Sequence, residues 1–243
     1  MKDYLFTFAA AILLAFTMAS CDEGRIEEQS KSNDSGRTVN ITAQLTGVDS
    51  WPESSYYVAL AGFNDTSNYA VILKQVAAPS EEGGTVSMSL SNISDEVTHV
   101  ELCVVTRLRQ HVMALYTIDE DELKASDEIT VNVGSLNVGM FNTIQQNVFN
   151  TTCANCHGAS THAAAGLYLT EGRSYAAIVN QNSTKMEGGK IVEPYNSNGS
   201  VLYRALSSSL SSEGGWGYNH TSEVTDSNVL GIIRSWIDNG AEE

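Results

Sequence analysis

The sequence predicts two domains of different class, an all-β sandwich followed by an all-α domain. A chain of 243 residues is long enough for two ordinary domains. From 38 to 137, apolar and polar residues alternate in short runs between turn residues, which is typical of strands. From 138 to 243, apolar residues recur every three or four positions, as on one face of a helix.

The residues before the predicted sandwich have the features of an export signal and a tether. An apolar run from Tyr4 to Met18 follows Lys2 and is shorter than the roughly 20 residues that span a membrane. It ends in Met18-Ala19-Ser20-Cys21, which resembles the bacterial lipoprotein box, where the cysteine is acylated. We expect a signal peptide at 1–20, lipidation of Cys21 and a flexible tether at 21–37. The alternative is an ordinary signal peptide with a chance cysteine.

Seven short strands are predicted in the first domain. Their number, in about 100 residues, fits an antiparallel sandwich of immunoglobulin-like type. The predicted segments are Val39–Leu45, Tyr56–Leu60, Tyr69–Val76, Gly84–Ser91, Val97–Thr106, His111–Ile118 and Glu128–Val133. We expect Cys103 to be a buried apolar residue, and His99 and His111 to be packed or surface residues.

Two amphipathic helices are predicted to bracket the second domain. Helical spacing relates the apolar residues Phe141, Ile144, Val148 and Phe149 near its start, and Val229, Ile232, Ile233, Trp236 and Ile237 near its end. The later helix has a start signal at Thr225 and a stop signal at Asn239-Gly240. The stretch between them is rich in Gly, Ser and Asn, so we expect a cofactor to supply the missing core.

The motif that carries chemistry is Cys153-Ala154-Asn155-Cys156-His157. This spacing lets two thiols add to the vinyl groups of one haem while the histidine binds its iron, so it predicts attachment of one haem c. A zinc site would need a second pair of ligands at similar spacing. A thioredoxin-like redox pair would begin a helix after a strand, and a structural disulfide would leave His157 unexplained.

Residues 141–243 resemble a single-haem cytochrome c domain of bacterial surface proteins, related to the planctomycete cytochrome C domains. The resemblance rests on the segments Cys153–Gly158, Gly166–Leu169, Val192–Arg204 and Trp236–Ala241, in the family's order. Tyr195 replaces a glycine of the family. The resemblance implies an all-α cytochrome c fold for 138–243.

The sequence departs from the family at the loop that supplies the sixth iron ligand. Where the family has Met-Pro, this chain has Gly217–Ser222, so we expect His220 to bind the iron opposite His157. Met186 is the alternative ligand, and His162 or an open position are further ones. A second imidazole would lower the reduction potential relative to a thioether ligand. Arg204, and by charge also Lys190, are expected near the haem propionates.

The function predicted from these features is electron transfer by a membrane-anchored lipoprotein of the bacterial cell envelope, periplasmic or surface-exposed. The formal net charge of −16 excludes a useful nucleic-acid-binding face and favours a basic redox partner protein. The alternative is a haem-containing accessory subunit or domain of an extracytoplasmic enzyme with peroxide or carbohydrate chemistry. No acid–base pair for such an enzyme is recognisable in the sequence.

Overall fold

Two β-sheets build the first part of the chain in the computed structural model, which describes residues 36–52, 55–158, 163–208, 210 and 216–243. The strands are β1 (Arg37–Thr46), β2 (Tyr56–Asn64), β3 (Ser67–Gln75), β4 (Thr85–Ile93), β5 (His99–Thr106), β6 (His111–Ile118) and β7 (Glu128–Asn137). A three-stranded sheet has the order β4-β1-β7, and a four-stranded sheet has the order β3-β2-β5-β6. The predicted strand segments are thus strands.

The expected signal peptide, Cys21, His162 and nearly all of the expected tether lie outside the described residues. Within the described part of the chain, no helix is long and apolar enough to cross a membrane.

Strand β1 occupies the centre of the three-stranded sheet. Its side chains alternate between exposed or half-buried and buried, with Val39, Ile41, Ala43 and Leu45 facing the core. It runs antiparallel to β4 but parallel to β7, with Ile41 opposite Met88 on one side and Val131 on the other. The expectation of a purely antiparallel sandwich is therefore wrong.

The four-stranded sheet is buried on both faces where β2 meets β5. One face joins the main core, and the other carries a second cluster made of Ala59, Ala61, Phe63, Ala70, Cys103 and Val105. A bridge between Tyr69 and Gln110 brings the edge strands β3 and β6 together, so the sheet curls round this cluster. The alanines fit this face because a tightly curled sheet leaves little room inside. Cys103 is fully buried here, as the sequence predicts.

Short helices make up most of the rest of the secondary structure. They are α1 (Glu120–Lys124), α2 (Met140–Ile144), a π-helix (Gln145–Cys153), α3 (Ala154–His157), α4 (Ser174–Ile178), α5 (Val201–Ser207) and α6 (Ser227–Asp238), with 3-10 turns at Val48–Ser50, Ala164–Gly166 and His220–Ser222. The longest α-helix among the described residues, α6, has 12 residues.

The prediction of a large all-α cytochrome c fold in 138–243 is wrong. Helices this short bury too little apolar surface among themselves to close a separate core. Their apolar residues instead join the core of the sheets, so that Val39 and Leu45 belong to the same buried cluster as Phe149 and Trp236. The chain is mainly a β-sheet protein to which short helices are added.

Direct contacts join the sheets to the helices. The indole Nε1 of Trp51 donates to the carbonyl of Val138 at 2.7 Å, and Ser50 Oγ accepts from the backbone N–H of Met140 at 2.8 Å. Tyr56 on β2 donates to the carbonyl of Asn228 in α6 at 3.3 Å. These bonds fix α2 and α6, and through α2 the π-helix that leads to Cys153, against the sheets.

Candidate functional site

The π-helix ends at Cys153, the first cysteine of the predicted attachment motif. Its wide turns begin at Gln145, whose side chain is buried and therefore needs polar partners. The amide of Gln145 donates to Asn150 Oδ1 at 2.7 Å and to the carbonyl of Leu169 at 3.1 Å, and it accepts from Ser174 Oγ. Gln145 thus ties the π-helix to the segment that follows the motif. Such π-helical turns are frequent at functional sites.

Both cysteines of the motif are free thiols at the end of this helix. Cys153 is half-buried and Cys156 is exposed. Burial raises the pKa of Cys153 to about 11, with the charges of Glu223 and Cys156 adding to the effect. A thiol that stays protonated at neutral pH differs from the activated thiolate of a thioredoxin-like pair, whose pKa is lowered. The chemistry of this site therefore does not favour thiol–disulfide exchange.

His157 is oriented by the loop that follows the motif. Its Nδ1 lies 3.0 Å from the carbonyl oxygen of Ala164, and its own carbonyl accepts from the N–H of Leu169 at 2.8 Å. A carbonyl at Nδ1 fixes the ring and leaves Nε2 as the nitrogen that can bind a metal. The Gly166–Leu169 segment thus serves as a support for His157. Gly158 is required because a Cβ there would lie 2.3 Å from the carbonyl oxygen of Ala154.

His220 faces His157, although 63 positions separate them in the sequence. The centroids of the two imidazoles are 6.2 Å apart, and their planes are tilted by 28°. Metal–imidazole bonds are about 2 Å long, so a metal between two such rings separates their centroids by about 6 Å. The observed spacing therefore fits two histidine ligands of one metal ion. Burial and the neighbouring His157 lower the pKa of His220, and the charge of Glu223 partly offsets this effect. The lowered pKa favours the neutral imidazole that a metal needs.

Aromatic and polar groups hold His220 in place. The rings of Tyr218 and Trp216 meet the imidazole edge-on, at centroid distances of 5.0 and 6.3 Å. The Tyr218 hydroxyl donates to Glu223, which raises the pKa of Tyr218. Asn219 accepts from the N–H of Thr221 at 3.2 Å and so caps the turn. These contacts hold the His220 ring in the orientation described above.

Met186, Arg204 and Lys190 lie on neighbouring segments. Arg204 lies on α5, which packs against the turn His220–Ser222, and its Nη1 donates to the sulfur of Met186 at 3.0 Å. Lys190 donates to the carbonyl of Asn180 at 3.0 Å. The Met186 sulfur is thus already a hydrogen-bond acceptor, whereas His220 is the side chain that faces His157.

The donor set fits a haem better than a zinc ion. Two thiols one helical turn apart and two opposed imidazoles are the groups that covalent haem attachment uses. A structural zinc site uses four ligands, and among the described residues no group of three or more His, Cys, Asp and Glu is arranged to hold a metal ion.

Sequence reasoning did not identify Tyr218, Glu223 and Trp216 as parts of this site. Their position two to four residues from His220 is the only signal that could have found them.

Comparisons of the chain with protein-family models, with curated proteins and with solved structures found no match.

Proposed function

We propose that this protein transfers single electrons through one covalently attached haem c with two histidine ligands. The observation that carries the proposal is the 6.2 Å separation of the His157 and His220 rings. Two imidazoles from distant parts of the chain meet at the spacing of a bis-histidine metal site, next to two free thiols. The resemblance of the Cys153–Gly158 motif to c-type haem attachment points to the same chemistry.

Each residue of the site has a role in this proposal. Cys153 and Cys156 would hold the haem through thioether bonds, and His157 and His220 would bind its iron. Arg204 is assigned to a haem propionate, because α5 lies beside the turn that carries His220. When bound, the haem supplies a one-electron iron couple.

The chain's own groups orient the two ligands. Ala164 holds the His157 ring through Nδ1, while Tyr218 and Trp216 pack against the His220 ring. If both histidines bind the iron, no position would be left there for a substrate, and the second imidazole would favour a lower reduction potential than a methionine ligand. These properties suit electron transfer rather than catalysis at the metal.

The proposal includes a membrane anchor and a basic redox partner. Cys21 would be acylated, which keeps the protein on a membrane of the bacterial envelope. The net charge of −16 supports a partner of opposite charge, because electrostatic attraction speeds the encounter of transient complexes.

Spectroscopy of the purified protein tests the haem proposal. We expect a covalent haem whose ferric form is low-spin and lacks the sulfur-to-iron charge-transfer band of methionine ligation. His220→Ala should convert the ferric haem to a high-spin form, because it removes the second imidazole. Met186→Leu is the matched control and should leave the spectrum unchanged.

Three results would overturn the proposal. A wild-type protein without covalent haem would remove its basis. A sulfur-to-iron band that disappears in Met186→Leu would transfer the sixth position to Met186. A high-spin wild-type spectrum would indicate an open position and favour peroxide chemistry instead. The anchor is tested separately by labelling cells with a radioactive fatty acid, because Cys21→Ser should abolish the label.

A further inference from the structure

The turn between β5 and β6 presents an apolar side chain between two basic ones. Leu108 is 77% exposed, and Arg107 and Arg109 on either side of it are also exposed. Tyr69, which is 51% exposed, lies on the strand that bridges to Gln110 at the end of the turn. The surface formed by Tyr69 and residues 107–109 is called the basic tip below.

Hydrogen bonds make the basic tip a well-defined structure. The N–H of Arg109 donates to the carbonyl of Thr106 at 2.8 Å, and its carbonyl accepts from the N–H of Ala70 at 2.9 Å. Its guanidinium donates to the carbonyl of Val71 at 2.9 Å. Arg109 has a φ of 67°, a left-handed backbone conformation that residues other than glycine rarely adopt. Leu108 is therefore exposed by a hydrogen-bonded turn whose left-handed residue is typical of short hairpins.

The charge of the basic tip is opposite to that of the protein as a whole. The net charge is −16, yet two of its 13 basic residues flank Leu108. Lys124 and Arg234 each pair with a carboxylate on their own helix. In the described part of the chain, the Arg107 side chain has no such partner, and the Arg109 guanidinium meets only a carbonyl. An anionic partner would neutralise both charges.

We propose that the basic tip contacts a membrane, with Leu108 inserted among the lipids and Arg107 and Arg109 bound to anionic head groups. An exposed apolar side chain with cationic neighbours suits the membrane interface, where a tyrosine is also favourable. An acidic protein surface would bind the arginines, but it would gain from the leucine, which is 77% exposed between them, only if it also offered an apolar pocket at that point. The membrane therefore accounts for all the groups of the tip.

The proposed lipid anchor makes a weak contact sufficient. Residues 22–36 separate Cys21 from β1, and fully extended they reach about 50 Å at most. A tethered tip has a high effective concentration near the lipid, so a single leucine and two arginines can hold one orientation. The inference rests on the proposed anchor for this proximity and is independent of the haem.

Sedimentation with vesicles tests the tip without the anchor. The chain from residue 22 onwards, which lacks the expected signal peptide and the acylated cysteine, is mixed with vesicles of phosphatidylcholine containing phosphatidylglycerol, or of phosphatidylcholine alone. We expect binding only to the anionic vesicles, weakened by salt. Arg107→Glu combined with Arg109→Glu should weaken this binding more than about tenfold, and Leu108→Asp about tenfold.

The matched control reverses two exposed basic residues elsewhere, Lys124→Glu with Lys185→Glu, and should leave binding nearly unchanged. Equal loss in this control would show a general charge effect and would overturn the proposal. Absence of binding by this unacylated chain even at high lipid concentration would also overturn it and would favour an acidic protein as partner. Loss of sedimentation by the acylated chain would count against the anchor instead.

A fluorescent side chain at the tip gives a second test in the acylated protein. Leu108→Trp should show blue-shifted emission in anionic vesicles and quenching by brominated lipid, whereas Thr184→Trp, at an exposed position among the helices, should show neither. Equal quenching at both positions, or none at 108, would contradict insertion of the tip.

Discussion

The sheets and the helices of this protein are stabilised in different ways, although they share one core. Strands are paired by backbone ladders and bury alternate side chains, as β1 does between β4 and β7. The helical part depends more on polar side chains that bond to backbone groups. Ser200 accepts from the N–H of Glu193 and donates to the carbonyl of Asn196, each at 2.8 Å. The candidate site thus lies in the part that depends on the sheets for its apolar packing.

The largest effect on stability is expected from a residue at the contact between the sheets and the helices. Trp236 on α6 is 3% exposed, and its ring centroid lies 5.2 Å from that of Phe141. Trp236→Ala should lower the free energy of unfolding by about 3–5 kcal/mol, because it leaves a cavity in the shared core. Denaturation followed by circular dichroism and by tyrosine fluorescence should give one coincident transition.

The control for Trp236→Ala is Leu108→Ala at the basic tip, which should change stability by less than about 0.5 kcal/mol. Two separate transitions in the wild-type protein, one for the helices and one for the sheets, would show that the core does not couple them.

A pair inside the curled sheet, formed by a buried glutamate and a partly exposed histidine, should give the next largest effect on stability. His111 Nε2 lies 2.8 Å from Glu101 Oε2, and outside this contact neither atom has a partner among the described residues. His111→Leu leaves one oxygen of the buried Glu101 carboxyl without its partner and should cost about 1–3 kcal/mol in urea denaturation. Adding Glu101→Leu should restore most of the loss. A double variant as unstable as the single one would contradict this explanation.

A smaller effect is expected where α6 approaches β2 most closely. A Cβ at Gly231 would stand 2.1 Å from the hydroxyl oxygen of Tyr56. Gly231→Ala should cost about 1–3 kcal/mol from overpacking, less the roughly 1 kcal/mol by which alanine favours a helix. In the Tyr56→Phe background the same substitution should be neutral or stabilising. Equal destabilisation in both backgrounds would place the strain elsewhere.

Tyr56 also links stability to pH. Burial, and then the charge of Asp226, raise the pKa of Tyr56 above its ordinary value of 10.0. The folded protein therefore holds this proton more tightly than the unfolded chain, so this stabilisation is complete below pH 10 and is lost as the pH rises through the higher pKa. Tyr56→Phe should show a shallower decline of stability above about pH 10 in thermal denaturation. If stability declined as steeply with pH in Tyr56→Phe as in the wild-type protein, Tyr56 would not be the group responsible.

The strands were predictable because alternation records which side chains face the core. The partner of a strand is not recorded in this way, so nothing in Glu128–Asn137 indicated that β7 runs parallel to β1. The helical period of Ile232, Ile233 and Trp236 was equally visible. It indicates an apolar face but not whether a helix or a sheet covers that face. For this reason the sequence suggested a separate all-α domain where the structure has helices on a shared core.

The candidate site was predictable where its chemistry is local in sequence. Cys153, Cys156 and His157 form a compact motif, whereas His220 was inferred because the family's methionine loop is absent. The ring spacing of 6.2 Å depends on how distant segments pack, which no local pattern records. The π-helix was also missed, because it follows from the burial of Gln145 and its bonds to Leu169 and Ser174.

The smallest effect on stability is expected at Tyr195, whose backbone is left-handed. Tyr195 has a φ of 66°, a left-handed conformation that costs about 1–2 kcal/mol for a residue with a Cβ. Its N–H donates to the carbonyl of Ile237 at 2.8 Å, so docking on α6 holds this backbone in place. Tyr195→Gly should stabilise the protein by at most about 1 kcal/mol, because glycine also has more freedom to lose on folding. Tyr195→Ala keeps the Cβ and should give no gain in melting temperature; an equal gain in both variants would assign the strain to the ring rather than to the backbone.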